Sequence, residues 1–155
     1  MEQTKPRILV LCTGNSARSQ MAEGLLKAKL GDRFDVDSAG TRPIGVSPEA
    51  IAALDEIGID ISGNRSKSVD EFAGQEMDYV LTVCDNAKSN CPYFPAKTKL
   101  IHHAFDDPYF AAGDFESRVA AFRKVRDQIA EYIDESLSQE LNRGEKPKPG
   151  DSAIA

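Results

Sequence analysis

The chain has 155 residues, 41% of them hydrophobic and 28% charged, which is enough for one domain with a buried core and argues against wholesale disorder. Nineteen Lys and Arg stand against 25 Asp and Glu, and a net charge of −6 makes the chain a poor candidate for general nucleic-acid binding, which needs a basic surface. The three Cys are too few for a four-Cys zinc site and, in a chain without a membrane-length apolar run or a signal-peptide stretch at Met1–Pro6, fit a cytoplasmic protein with reactive thiols rather than a disulfide framework.

Ile8–Leu11 is a continuous apolar run, the pattern of a strand buried on both faces. A polar loop, Cys12–Arg18, follows it. Met21, Ala22, Leu25, Leu26 and Ala28 then trace a helical stripe through Arg18–Leu30, closed by Gly31. Phe34–Ser38 alternates as a second strand, and Ala39–Gly45 is a loop. Ser47-Pro48-Glu49 starts a helix, with a hydroxyl at the N-cap and Pro at the first helical position. Ile51, Leu54 and Ile57 are expected on its inner face, and Gly58 at its end. Ser68–Phe72 reads as a short helix, Tyr79–Val83 as a third strand leading into Cys84, and Thr98–Ile101 as a short fourth. Pro92 and Pro95 mark an irregular loop between them. After Asp106-Asp107-Pro108, the residues Phe115, Val119, Phe122, Val125, Ile129, Ile133 and Leu137 mark a helix of about seven turns. Gly144, Pro147, Pro149 and Gly150 follow, so a single domain over residues 1–141 is expected to end in a disordered tail over 142–155.

Strands alternating with helices predict an α/β, flavodoxin-like three-layer fold with a four-stranded parallel sheet. Ligands of such sheets bind beyond the carboxyl ends of the strands. Cys12 and Cys84 each follow a strand directly and Asp107 follows one closely, so all three fall on the same edge of the predicted sheet.

The loop from Cys12 to Arg18 carries the chemistry. The backbone of Thr13, Gly14, Asn15, Ser16, Ala17, Arg18 and Ser19 is placed to curl round an anion, since the first amides of a helix lack intrahelical partners and its dipole favours negative charge. Arg18 supplies a planar fork of donors for a tetrahedral oxyanion. Gly14 and Asn15 tolerate the backbone geometry of a tight loop. The same field favours the thiolate of Cys12, with Ser16 and Ser19 as hydrogen-bond donors to it. The competing reading makes Cys12 a small core residue and Arg18 a surface one; the strand–loop–helix setting weighs against it.

Leu11-Cys-Thr-Gly-Asn-Ser-Ala-Arg-Ser-Gln-Met-Ala-Glu-Gly24 resembles the signature of thioredoxin-coupled arsenate reductases, which share their fold with low-molecular-weight protein tyrosine phosphatases. The likeness continues at Ser38-Ala-Gly-Thr41, Gly45-Val-Ser-Pro-Glu-Ala50, Cys84 to Pro92 and Phe105-Asp-Asp-Pro108, so it spans Ile8 to Leu137. It implies a low-molecular-weight phosphatase-like fold and reduction of arsenate to arsenite. In that reading Cys12 is the nucleophile, Arg18 the oxyanion clamp and Asp107 the general acid. Cys84 and Cys91 relay oxidising equivalents, with thioredoxin as the external reductant and no cofactor. The alternative is a low-molecular-weight protein tyrosine phosphatase or small phosphoester phosphatase, which needs neither further Cys. Tyr109-Phe110 resembles the phosphatases, whereas the absence of Trp does not. Ala17 stands where many members of both families carry a further loop Cys, a residue outside the relay. A potassium site of Asn15, Glu23, Ser38 and Ser66 is a further implication, although Ser68 replaces an Asp of that site. A non-catalytic oxyanion-binding or redox-sensing module is the reading from another class. His102 and His103 match no standard zinc spacing. The protein is expected to be a monomer.

Overall fold

Four strands run parallel in one sheet in the order β2-β1-β3-β4, where β1 is Arg7–Cys12, β2 Asp35–Gly40, β3 Met77–Thr82 and β4 Ala96–His102. This computed structural model describes residues 5–83, 94–108 and 111–144, the last three by their backbone alone. The strand order is the flavodoxin one, with its switch point between β1 and β3.

The apolar run of β1 is buried on both faces, as its composition requires. Ile8, Val10 and Cys12 pack with Tyr79 and Leu81 against the helices, while Leu9 and Leu11 join Ala39, Met77 and Val80 on the opposite face. The first face is covered by α1 (Arg18–Leu30), α2 (Pro48–Asp55) and α3 (Phe115–Tyr132). The second is covered by the short 3-10 helix Val69–Phe72 and by Phe94. Ser47 and Asp114 cap α2 and α3, accepting from the amides of Ala50 and Ser117. On β4, at the edge of the sheet, Ile101 is the buried residue, and Lys97 and Lys99 charge the strand against further pairing.

The elements anticipated from sequence are present, with different ends. Cys12 closes β1 instead of following it, β2 continues to Gly40, and β4 extends from Ala96 to His102. Ile57 is 48% exposed, because α2 ends at Asp55 and leaves it in the following turn. Phe115 is 42% exposed: it is the first residue of α3, a turn ahead of the buried Val119.

The long helix also continues past its predicted end. Val125, Ile129, Ile133, Leu137 and Leu141 are all buried and spaced by four, a repeat that drifts about 40° per step on an ideal α-helix. The π-helical turn Ile133–Leu137 takes up that drift, and Ser138 Oγ donates to the Ile133 carbonyl at 2.8 Å. A last helix, α4 (Ser138–Gly144), keeps Leu141 in the core, so residues 142–144 are helical and not tail. Cys84, Cys91, Pro92, Tyr109, Phe110 and residues 145–155 lie outside the described residues.

Candidate active site

Cys12 is buried at the carboxyl end of β1, and the chain turns from it into α1. The N-cap of α1 is Ala17, whose side chain caps none of the first helical amides, and a helix start of this kind favours an anion. The loop is shaped from outside. The amides of Arg42, Ile44 and Ser47 donate to the carbonyls of Thr13, Gly14 and Ser16 at 2.9, 3.1 and 3.1 Å. Because the C=O and N–H of a trans peptide point in opposite directions, this turns the amides of Gly14, Asn15 and Ala17 the other way, as in a backbone anion nest. Gly40, at the end of β2, backs the loop so closely that a Cβ there would lie 2.4 Å from the Thr13 carbonyl oxygen.

Asn15 holds the tightest point, with φ at +46°. Its Nδ2 donates to Ser19 Oγ (2.8 Å) and Ser38 Oγ (2.9 Å), and its Oδ1 accepts from Gln20 Nε2 (3.0 Å) and the Lys67 amide (2.8 Å). Its carbonyl accepts from Ser66 Oγ at 2.5 Å. The side-chain amide is thereby fully used, which fixes a left-handed conformation that Asn tolerates.

Arg18 opens α1 and is 4% exposed. Its Nη1 donates to the carbonyls of Phe105 (3.2 Å) and Val83 (3.4 Å), and its Nη2 to Asp107 Oδ2 (3.3 Å). The guanidinium thus ties the start of α1 to the ends of β3 and of the segment after β4. Arg18 and Asp107 meet at the sheet edge where β1 ends in Cys12, with Thr13, Gly14, Asn15, Ser16 and Ala17 in the loop from Cys12 to Arg18 and Ser19 next to Arg18 in α1. The relay residues Cys84 and Cys91 lie outside the described residues.

The four residues of the inferred potassium site do converge, but their oxygens are already engaged. Buried Glu23 accepts from Ser38 Oγ (2.5 Å) and Lys27 Nζ (2.7 Å), and Lys67 Nζ lies 3.9 Å from its Oε1. Two ammonium groups therefore supply the positive charge, and the donor set does not fit a potassium ion. Burial, with Glu23 adding to it, raises the Asp37 carboxyl beside this cluster. His102 Nδ1 and Thr82 Oγ1 are 2.5 Å apart, joining the ends of β3 and β4, and no group of three or more metal-ligating side chains occurs among the described residues.

Sequence reasoning missed Gln20, Lys67, Phe105 and the 42–47 segment as parts of the site. Gln20 stood inside the quoted signature without a role, and the contacts of Phe105, of the 42–47 segment and of the Lys67 amide run through backbone groups, which carry no residue-type signal.

Residues 7–146 match the family described as low molecular weight phosphotyrosine protein phosphatase, and the chain belongs to that family. A protein of Halalkalibacterium halodurans named arsenate reductase is 49% identical over 129 residues, covering 83% of this chain and 93% of the relative. A solved arsenate reductase in the phosphate-binding state superposes with a TM-score of 0.72 at 29% identity, covering 86% of this chain and 98% of the other. A low molecular weight protein tyrosine phosphatase from T. tengcongensis gives 0.68, also at 29% identity, covering 87% and 99%. No helix among the described residues is long and apolar enough to cross a membrane.

Proposed function

We propose that the chain is an arsenate reductase that works through a Cys12, Cys84 and Cys91 relay regenerated by thioredoxin in the cytoplasm. The observation that carries the reading is the buried Arg18 guanidinium, set between the nucleophile loop and Asp107. The Cys84–Cys91 pair of the sequence distinguishes the reductase from a phosphatase, and the 49% identical arsenate reductase supports the same choice.

Arsenate binds to the loop amides and Arg18, whose fork suits two of its oxygens. The Cys12 thiolate attacks arsenic, forming an As–S bond, while Asp107 gives a proton to the oxygen that leaves as water. Cys84 then attacks the Cys12 sulfur. An S–S bond forms, the As–S electron pair returns to arsenic, and arsenite leaves. Cys91 attacks Cys84, freeing Cys12, and the dithiol of thioredoxin reduces the Cys84–Cys91 disulfide.

The test is reductant consumption in the presence of thioredoxin, its reductase and arsenate. Arsenate-dependent consumption is expected. Hydrolysis of an aryl phosphate with no arsenate-dependent consumption would establish the phosphatase reading instead.

A further inference from the structure

Arg18 is aimed by groups that are themselves held in no regular structure. The Phe105 carbonyl accepts from Arg18 Nη1, and Asp107, two residues later, accepts from Nη2. Residues 103–107 form neither helix nor strand. The His103 amide ties the start of this segment to the Thr82 carbonyl at 3.0 Å. Beyond that point rings pack against the segment. The Phe105 ring is buried, edge-on to Tyr132 at 5.7 Å and 73°, and tilted against His103 at 4.8 Å. His103 and Tyr132 stack at 4.0 Å and 23°. Tyr132 is the last residue of α3, directly before the π-helical turn, so the point where the helix changes its winding is also where it presents this ring.

We propose that Tyr132 is a positioning residue for the oxyanion clamp: through its contacts with His103 and Phe105 it fixes the segment whose carbonyl and carboxylate aim Arg18. The inference rests on the reading of Arg18 as that clamp. Aromatic pairs of this geometry prefer defined ring orientations, so they fix direction as well as adding burial. Partial desolvation of the otherwise exposed His103 ring, with His102 adding to it, keeps its imidazole below its ordinary range, and burial with Glu140 holds the Tyr132 hydroxyl up at about 12. At neutral pH the stack therefore consists of uncharged rings.

The test measures oxyanion binding without turnover. Cys12 is alkylated with iodoacetamide, the modified peptide is followed by mass spectrometry, and the inorganic phosphate concentration giving half-protection is recorded. Tyr132→Ala is expected to raise that concentration about tenfold, the equivalent of losing two ring contacts. Tyr132→Phe, which keeps the ring, is expected to stay within about twofold of the unaltered protein, and His103→Ala, at an exposed position, to give a smaller rise of about threefold. Ile129→Val loosens the same helix away from the stack; it should lower the melting temperature without moving the protection. Unchanged protection in both Tyr132→Ala and His103→Ala would overturn the proposal, and so would a shift in Ile129→Val equal to that in Tyr132→Ala. Should phosphate fail to protect Cys12 in the unaltered protein, the clamp reading falls and the proposal with it.

Discussion

Arg18 Nη2 and Asp107 Oδ2 lie 3.3 Å apart, joining the first residue of α1 to a loop 89 positions further along the chain. The carboxylate occupies one arm of the fork that an oxyanion would use. In the proposed mechanism the oxyanion would take the place of this carboxylate at Arg18 and leave the Asp107 carboxyl to act as the acid. Asp107→Asn should accordingly bind phosphate at least as well as the unaltered protein while lowering kcat about 100-fold, the range for removal of a general acid. Steady-state kinetics and Cys12 protection check this together; an undiminished kcat would remove Asp107 from the chemistry.

Cys12→Ser should abolish arsenate reduction, since a hydroxyl cannot replace the thiolate. Cys91→Ser should release arsenite once and stop as a Cys12–Cys84 disulfide, whereas Cys84→Ser should stop before arsenite release. Single-turnover arsenite measurement with mass-spectrometric mapping of disulfides separates these outcomes. Sustained thioredoxin-coupled turnover by either relay variant would contradict the three-Cys scheme.

Asn15→Ala removes the bonds to Ser19, Ser38, Gln20 and the Lys67 amide and leaves a residue with a Cβ at φ +46°. Lost hydrogen bonds, unsatisfied buried partners and left-handed strain together predict a loss of about 2–4 kcal/mol, with phosphate protection of Cys12 falling too. Urea unfolding gives the first quantity. A variant of unaltered stability would show that the network is not what holds the loop.

Glu56, just after α2, accepts from Arg123 Nε and Nη2 at 2.8 and 2.6 Å and from Arg126 Nη1 at 2.9 Å. The hydrogen bonds from Arg123, followed by those from Arg126, hold its carboxyl down at about 2. A folded-state value below the unfolded one contributes stability above the unfolded value and loses it as pH falls through the folded one. The melting-temperature gap between the unaltered protein and Glu56→Gln should be complete at neutral pH and shrink between pH 4.5 and about 2. A gap independent of pH over that window would show that this tie between α2 and α3 contributes no proton-linked stability.

Replacing potassium with sodium should leave both melting temperature and Cys12 protection unchanged, because Lys27 and Lys67 already serve Glu23. A potassium-specific rise in melting temperature would show that the ion displaces a lysine from the cluster.

Strand and helix identities were legible because apolar runs and stripes report burial directly. The run Ile8–Leu11 reads as a buried central strand and Ser47-Pro48-Glu49 as a helix start, and both are found there. The π-turn was not legible: a spacing of four fits an α-helix locally, and its drift becomes visible only once Leu141 is known to be buried. Ile57 was misplaced because it has a hydrophobic side chain at helical spacing but sits just beyond the end of α2. Within the candidate site, the placing of Cys12 at the end of β1 and of Arg18 at the start of α1 was legible from the strand–loop–helix pattern. The mould around them is made of backbone groups from Arg42, Ile44, Ser47 and Lys67, and main-chain hydrogen bonds across a loop leave no mark in residue type.

The central place of β1 has a consequence for biosynthesis. This strand leaves the ribosome before its neighbours, yet one of its edges waits for β3, which ends at Thr82, and the arm of Arg18 waits longer still, for Phe105 and Asp107. A growing chain therefore carries the Cys12 sulfur, buried in the finished protein, before the residues that enclose it exist. Oxidants meeting the nascent polypeptide would reach Cys12 at that stage, before the fold shields it.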